Sequence, residues 1–116
     1  MSHLEQAMRI SPRDSNLGVW HSEMGRQLLG LRQYDAAIQE GLIAIDSGFR
    51  TTQSYINLAA FYGADDRAPE AKAALAEAMK LNPKLSVAWF HARVPSFIDS
   101  PPGMREGLSK AGLPEE

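Results

Sequence analysis

The chain has 116 residues, 44% of them hydrophobic and 22% charged, with a formal net charge of -2 and no cysteine. That is one domain's worth of chain. The balanced charge excludes the basic footprint of a nucleic-acid binder, and the missing cysteine excludes disulfides and thiol chemistry.

No run of about 18 apolar residues and no basic-then-apolar leader occurs, so neither a membrane span nor a signal peptide is expected, and the expected location is cytoplasmic. Residues 1–12 read as the second half of a helical hairpin. Leu4, Ala7 and Met8 stand at helical spacing, and Ile10-Ser11-Pro12 stops the pattern, much as Leu81-Asn82-Pro83 does later. A half-unit leaves an apolar face uncovered. The expectation is therefore a fragment of a longer protein, or an end covered by a second copy through Leu4, Ala7 and Met8.

Ser15 or Asn16 suits the N-cap of a helix over 17–29, with Gly30 at its end. A second helix spans 33–47 on an apolar face of Ala36, Ala37, Ile38, Leu42, Ala44 and Ile45, and Gly48 stops it. Thr51 or Thr52 caps a third helix running to Gly63. Ala64-Asp65-Asp66-Arg67 forms the turn, and Pro69 opens a fourth, alanine-rich helix to Leu81. A partial third copy begins at 85–94 and breaks at Pro95. An irregular crossing follows over 96–102. Ser100 then caps a last helix over 101–111, which carries the stripe Met104, Leu108, Ala111 and is closed by Gly112, and 113–116 reads as a loose tail.

Trp20 to Pro83 reads as two copies of one unit offset by 34 residues: Gly25 falls on Ala59, Ala37 on Ala71, Ala44 on Ala78, Met24 on Leu58 and Leu28 on Tyr62. These positions, with Tyr55, Tyr34 and Pro83, resemble the tetratricopeptide-repeat family. The sequence departs from that pattern at His21, Gly41 and Phe49. The resemblance covers about residues 1–94. It implies an all-α fold, a right-handed superhelical stack of antiparallel helix pairs. Two full repeats (17–50 and 51–84) would sit between flanking half-repeats (1–12 and 85–94), under a capping helix over 100–112. A looser resemblance, of the ending Gly107 to Glu115, is to the C-terminal region of bacterial multi-domain regulators. There a class III adenylate/guanylate cyclase or DNA-binding domain precedes the repeats, which would make this chain a regulatory or self-association tail.

The family resemblance implies that first helices of the repeats line a groove for a peptide or partner segment, with no chemistry performed. Carried over by position, the groove presents Val19, Ser22, Glu23, Arg26 and Leu29, then Gln53, Ile56, Asn57, Ala60 and Ala64, then Val87 and His91. Arg26, Asn57 and His91 in a row would offer donors to a carboxylate. The family's clamp for chaperone tails is not expected, because Ser22 and Val87 stand where basic residues are needed. His3, His21 and His91 lack metal-ligand spacing, Asp65-Asp66 lacks the spaced oxygens of a calcium loop, and no cofactor is implied. Trp20, Tyr55, Trp89 and Phe90 near helix starts read as inter-helix packing.

Overall fold

A computed structural model describes residues 15–116. The half-repeat over 1–12 and its proposed self-association face lie outside the described residues. Among the described residues the structure is all helical: α1 Ser15–Gly30, α2 Tyr34–Asp46, α3 Thr52–Ala64, α4 Ala68–Leu81, α5 Val87–Arg93, α6 Pro95–Asp99 and α7 Met104–Ala111. None of these helices is long and apolar enough to cross a membrane.

α3 is the centre. Its segment, TQSYINLAAFYGA, has no charged residue, so it can be covered on every side. Ser54, Ile56, Asn57, Leu58, Ala59, Ala60, Phe61 and Gly63 are all buried in it. α1, α2, α4 and α7 surround it. The predicted pairs α1–α2 and α3–α4 form the two most extensive helix contacts. Small residues set their closeness. A Cβ at Gly25 would stand 2.6 Å from the Phe61 ring, and one at Gly41 3.2 Å from the same side chain. This accounts for Gly41 at a position where the second unit has Leu75: Phe61 from α3 fills the space. Phe49 is accounted for in the same way, since its Cβ lies against Gly18.

The helix ends follow local rules. Thr51 forms a capping box with Ser54, whose N–H donates to Thr51 Oγ1 at 3.2 Å while Thr51 N–H donates to Ser54 Oγ at 2.9 Å. Gly48, at φ 107°, ends α2 with Phe49 N–H on Ala44 O and Gly48 N–H on Ile45 O. α1 ends differently from expectation. Gly30 stays helical, and the left-handed position is Arg32, at φ 62°, with Gln33 N–H on Leu28 O and Arg32 N–H on Leu29 O. Asp66, at φ 59°, repeats the same turn after α3, with Arg67 N–H on Tyr62 O and Asp66 N–H on Gly63 O. The 34-residue offset therefore extends to backbone conformation. Gly30 is required for closeness instead: a Cβ there would be 3.1 Å from Pro101.

The C-terminal third departs most from the sequence reading. The third copy over 85–94 is reduced to α5, capped by Ser86 Oγ on Trp89 N–H at 3.0 Å. The crossing contains a short helix, α6. The last helix starts at Met104 rather than 101, with Gly103 at φ 100° as its N-cap in place of Ser100. Met104, Leu108 and Ala111 are buried as the stripe predicts. They cover the last full helix pair: α7 lies mainly along α3, with a smaller contact to α4. The tail is not loose. Leu113 is buried, and Pro114 O and Glu115 O accept from Val87 N–H at 2.8 Å and Ala88 N–H at 2.9 Å. These carbonyls satisfy donors that the first turn of α5 cannot pair within its own helix.

Candidate functional site

Arg26 is the one charged side chain of the predicted groove that lies inside the molecule. It sits on α1 facing α3, 8% exposed, with Ser22 one turn earlier at 2% and Asn57 of α3 at 0%. Its guanidinium is almost wholly used. Nη1 donates to Asn57 Oδ1 at 3.0 Å and reaches Met104 Sδ at 3.8 Å. Nη2 donates to Phe97 O at 2.8 Å and to Ser100 O. Nε faces Glu23 Oε1 at 3.9 Å. The Phe97 ring covers the guanidinium plane, 4.4 Å from Cζ to the ring centroid. Burial holds the Arg26 pKa below its ordinary value, partly offset by the Glu23 charge.

Those acceptors have a common origin. Phe97 and Ser100 lie at and just beyond the C-terminal end of α6, where helix carbonyls lack intrahelical partners and carry partial negative charge. Arg26 thus closes the end of α6 and ties it to α1 and α3. Phe97 stacks on Phe90, with centroids 5.5 Å apart, and Trp89 meets Phe90 edge to face at 5.1 Å. Ile98 is fully buried.

The groove expected from the sequence is therefore occupied by the chain itself. Ser22, Arg26, Leu29, Ile56, Asn57 and Ala60 are interior, with Phe97 O on Arg26, Gly103 against Leu29 and α7 on Ala60. Glu23 and Gln53 are exposed at the margin. His91 is not in a row with Arg26 and Asn57. It is exposed, and its Nε2 pairs with Asp99 Oδ2 at 3.0 Å, beside Arg105. Carboxylate capture by Arg26, Asn57 and His91 together is corrected on this ground. The donors of Arg26 already have acceptors, and His91 is held by another carboxylate.

Among the described residues two buried side-chain polar atoms have no hydrogen-bond partner, Ser22 Oγ and Asn57 Nδ2. The start of α3 and the α5–α6 corner form an open apolar hollow of about 250 Å³, lined by Thr52, Gln53, Trp89, Phe90, Val94 and Phe97. A smaller, more polar hollow lies over Arg26 between Glu23, Gln27, Ser100 and Pro101.

Phe97, Ser100 and Met104 are the partners that sequence reasoning missed. A signal was present: Phe97 and Ile98 are apolar residues between Pro95 and Pro101, in a segment read as irregular. An apolar pair there needs burial somewhere. Of the histidines, His21 lies inside, and its Nδ1 bonds Glu40 Oε2 at 2.6 Å, joining α1 to α2. Among the described residues no group of three metal-ligating side chains converges. No family model, no curated protein sequence and no solved structure matches this chain.

Proposed function

We propose that this chain is a non-catalytic protein-binding module, a short stack of tetratricopeptide-type helix pairs that holds a polypeptide segment on the inner face of α1 and α3. One observation carries the reading. That face already holds a polypeptide, its own Phe97–Ser100, through main-chain carbonyls on Arg26 and an aromatic ring over the guanidinium. The repeat assignment is supported by the matching left-handed turns at Arg32 and Asp66 and by the two small-residue hairpins. The partner enters at the apolar hollow beside Gln53 and Val94, where aromatic walls offer area and the rim stays solvated.

The test is selection of displayed 12-residue peptides on the purified chain, followed by affinity measurement on rim variants. Val94→Asp and Gln53→Arg alter exposed side chains and leave the fold intact. Each is expected to weaken selected peptides about tenfold, the order of one lost anchor contact, while Lys84→Glu, an exposed residue that does not line the hollow, does not. Equal affinity across all three variants would move the site elsewhere.

A second reading, self-association, has its own observation. The antiparallel pairing that sets Gly18 against Ala44 and Gly25 against Ala37 puts Val19 and Trp20 level with Leu42 and Ile43. All four are at least 40% exposed. Such a cluster suits contact with another chain. Sedimentation of Trp20→Asp and Ile43→Asp beside the parent decides it. A dimer lost in the variants supports assembly; a monomeric parent at high concentration removes it.

A further inference from the structure

The face around Arg26 reads main chain, not a charged side chain. Two carbonyls three residues apart, Phe97 O and Ser100 O, share one guanidinium nitrogen, and the ring of that same Phe97 lies on the guanidinium plane. One residue thus supplies an in-plane acceptor and an out-of-plane ring. Just beyond, the Met104 sulfur lies 3.8 Å from Arg26 Nη1.

The occupant fits imperfectly. It leaves Ser22 Oγ and the amide nitrogen of Asn57 unpartnered, although buried polar groups are almost always paired. Beside its Phe97 ring an open apolar hollow of about 250 Å³ remains against Thr52 and Gln53. The occupant is held with little redundancy. α6 has five residues, too few to persist as an isolated helix. Its side-chain ties at Asp99, to His91 at 3.0 Å and Arg105 at 3.7 Å, are exposed ion pairs of the weak kind. Ile98 is its principal apolar anchor.

We propose that the Arg26–Asn57 face is a recognition site for a helical turn of polypeptide that carries an aromatic residue and offers its carbonyls, and that Phe97–Gly103 is a displaceable resident occupant. The proposal rests on the protein-binding reading above. A partner turn of the same chemistry that also fills the hollow and accepts from the Asn57 amide replaces the resident segment. The resident segment thereby sets a threshold that weak ligands do not pass, since the affinity of any competitor is reduced by the fraction of molecules in which the face is open.

The experiment uses the whole chain. Native-state hydrogen exchange compares the amides of Phe97 and Ser100, which bond Val94 O and Ser96 O, with amides of Ala59 to Phe61 in α3. Separately, a synthetic peptide with the sequence of residues 94–103, blocked at both ends, is titrated into the parent chain and into Ile98→Ala, followed by NMR. A second peptide has alanine in place of the phenylalanine. The expected result is that Phe97 and Ser100 exchange at least ~100-fold faster than α3 by local opening. The phenylalanine peptide should shift α1 and α3 signals, bind Ile98→Ala about tenfold more tightly than the parent, and lose binding when alanine replaces the ring.

Exchange of Phe97 and Ser100 only with α3 overturns the proposal by itself, even where Ile98→Ala fails to fold. So does equal binding of both peptides, or binding of neither. In those cases peptides selected on the rim that still lose affinity with Val94→Asp leave the protein-binding reading standing. Shifts confined to α2 and α4 overturn this site and remove the inner-face reading with it.

Discussion

Gly107→Ala tests how closely the last helix lies on the centre of the fold. Ordinarily this change favours a helix, because alanine exceeds glycine in helix propensity by about 1 kcal/mol. Here the backbone of α7 touches the backbone of α3. A Cβ at Gly107 would stand 2.1 Å from Ala60 O, and one at Gly63 2.0 Å from Gly107 O. A carbon and a carbonyl oxygen need about 3.2 Å to avoid repulsion, near the shortest weak C–H···O contacts. The two helices must then part by roughly 1 Å. Neither obstacle is a flexible side-chain end, so nothing can swing aside.

Moving α7 outward lifts Met104, Leu108 and Ala111, all at most 2% exposed, from their contacts, and a gap of 0.5–1 Å forfeits about a quarter to a half of each atomic attraction. It also strains Arg26, which bonds both Met104 and the strand of chain leading into α7. Overpacking of this kind costs ~1–3 kcal/mol in cores that can adjust. With both helix backbones fixed, a net loss of about 2–4 kcal/mol is expected after the propensity gain, or roughly 8–20 °C in Tm for a domain of this size. Urea and thermal unfolding followed by circular dichroism measure it. Ser109→Ala, on the exposed side of α7, reports the propensity gain without a clash. A Gly107→Ala chain as stable as Ser109→Ala would refute the close approach of α7 to α3.

Three other substitutions probe separate features. Arg32→Gly relieves the left-handed strain at φ 62° and should raise stability by about 0.5–1 kcal/mol; a lower urea midpoint would contradict the turn assigned there. Arg26→Lys keeps the charge but loses the planar fork that serves Asn57, Phe97 and Ser100 together. A loss of ~2–3 kcal/mol is expected from unpaired buried acceptors, with faster exchange confined to α6 and its flanks, and an unchanged midpoint would show that Arg26 does not hold α6. Glu40→Gln weakens the charge-assisted bond to buried His21 and should cost about 1–2 kcal/mol; no change in thermal midpoint would remove that bond from the account of how α1 is joined to α2.

The central pair of hairpins was legible because its determinants are local or periodic. Thr51 with Ser54, Gly48 after α2, Pro69 in the first turn of α4 and the 34-residue offset of small residues each act within a few residues or recur at fixed spacing. The stripe of Met104, Leu108 and Ala111 was legible for the same reason. Gly41 and Phe49 looked like departures from a repeat until Phe61 and Gly18 were seen against them.

The site was not legible, although its residues were named. The family resemblance puts Ser22, Arg26, Leu29, Ile56, Asn57 and Ala60 on an inner face together with Glu23, Gln53 and His91; the structure buries the first six and leaves the last three exposed. Whether that face meets solvent, a partner or the chain itself depends on contacts 71 to 78 residues away, between Arg26 and Phe97, Ser100 and Met104. No local rule encodes those contacts. The amino-acid sequence by itself determined α1 to α4, the Thr51 cap, the Gly48 stop and the antiparallel pairing within each hairpin, because short-range hydrogen bonding and apolar spacing suffice for these. Only the tertiary structure decided that the capping helix α7 would lie with its backbone against Ala60 and Gly63. Three small residues, Ala60, Gly63 and Gly107, allow two backbones to touch, and that contact takes the apolar side chains Met104, Leu108 and Ala111 out of water.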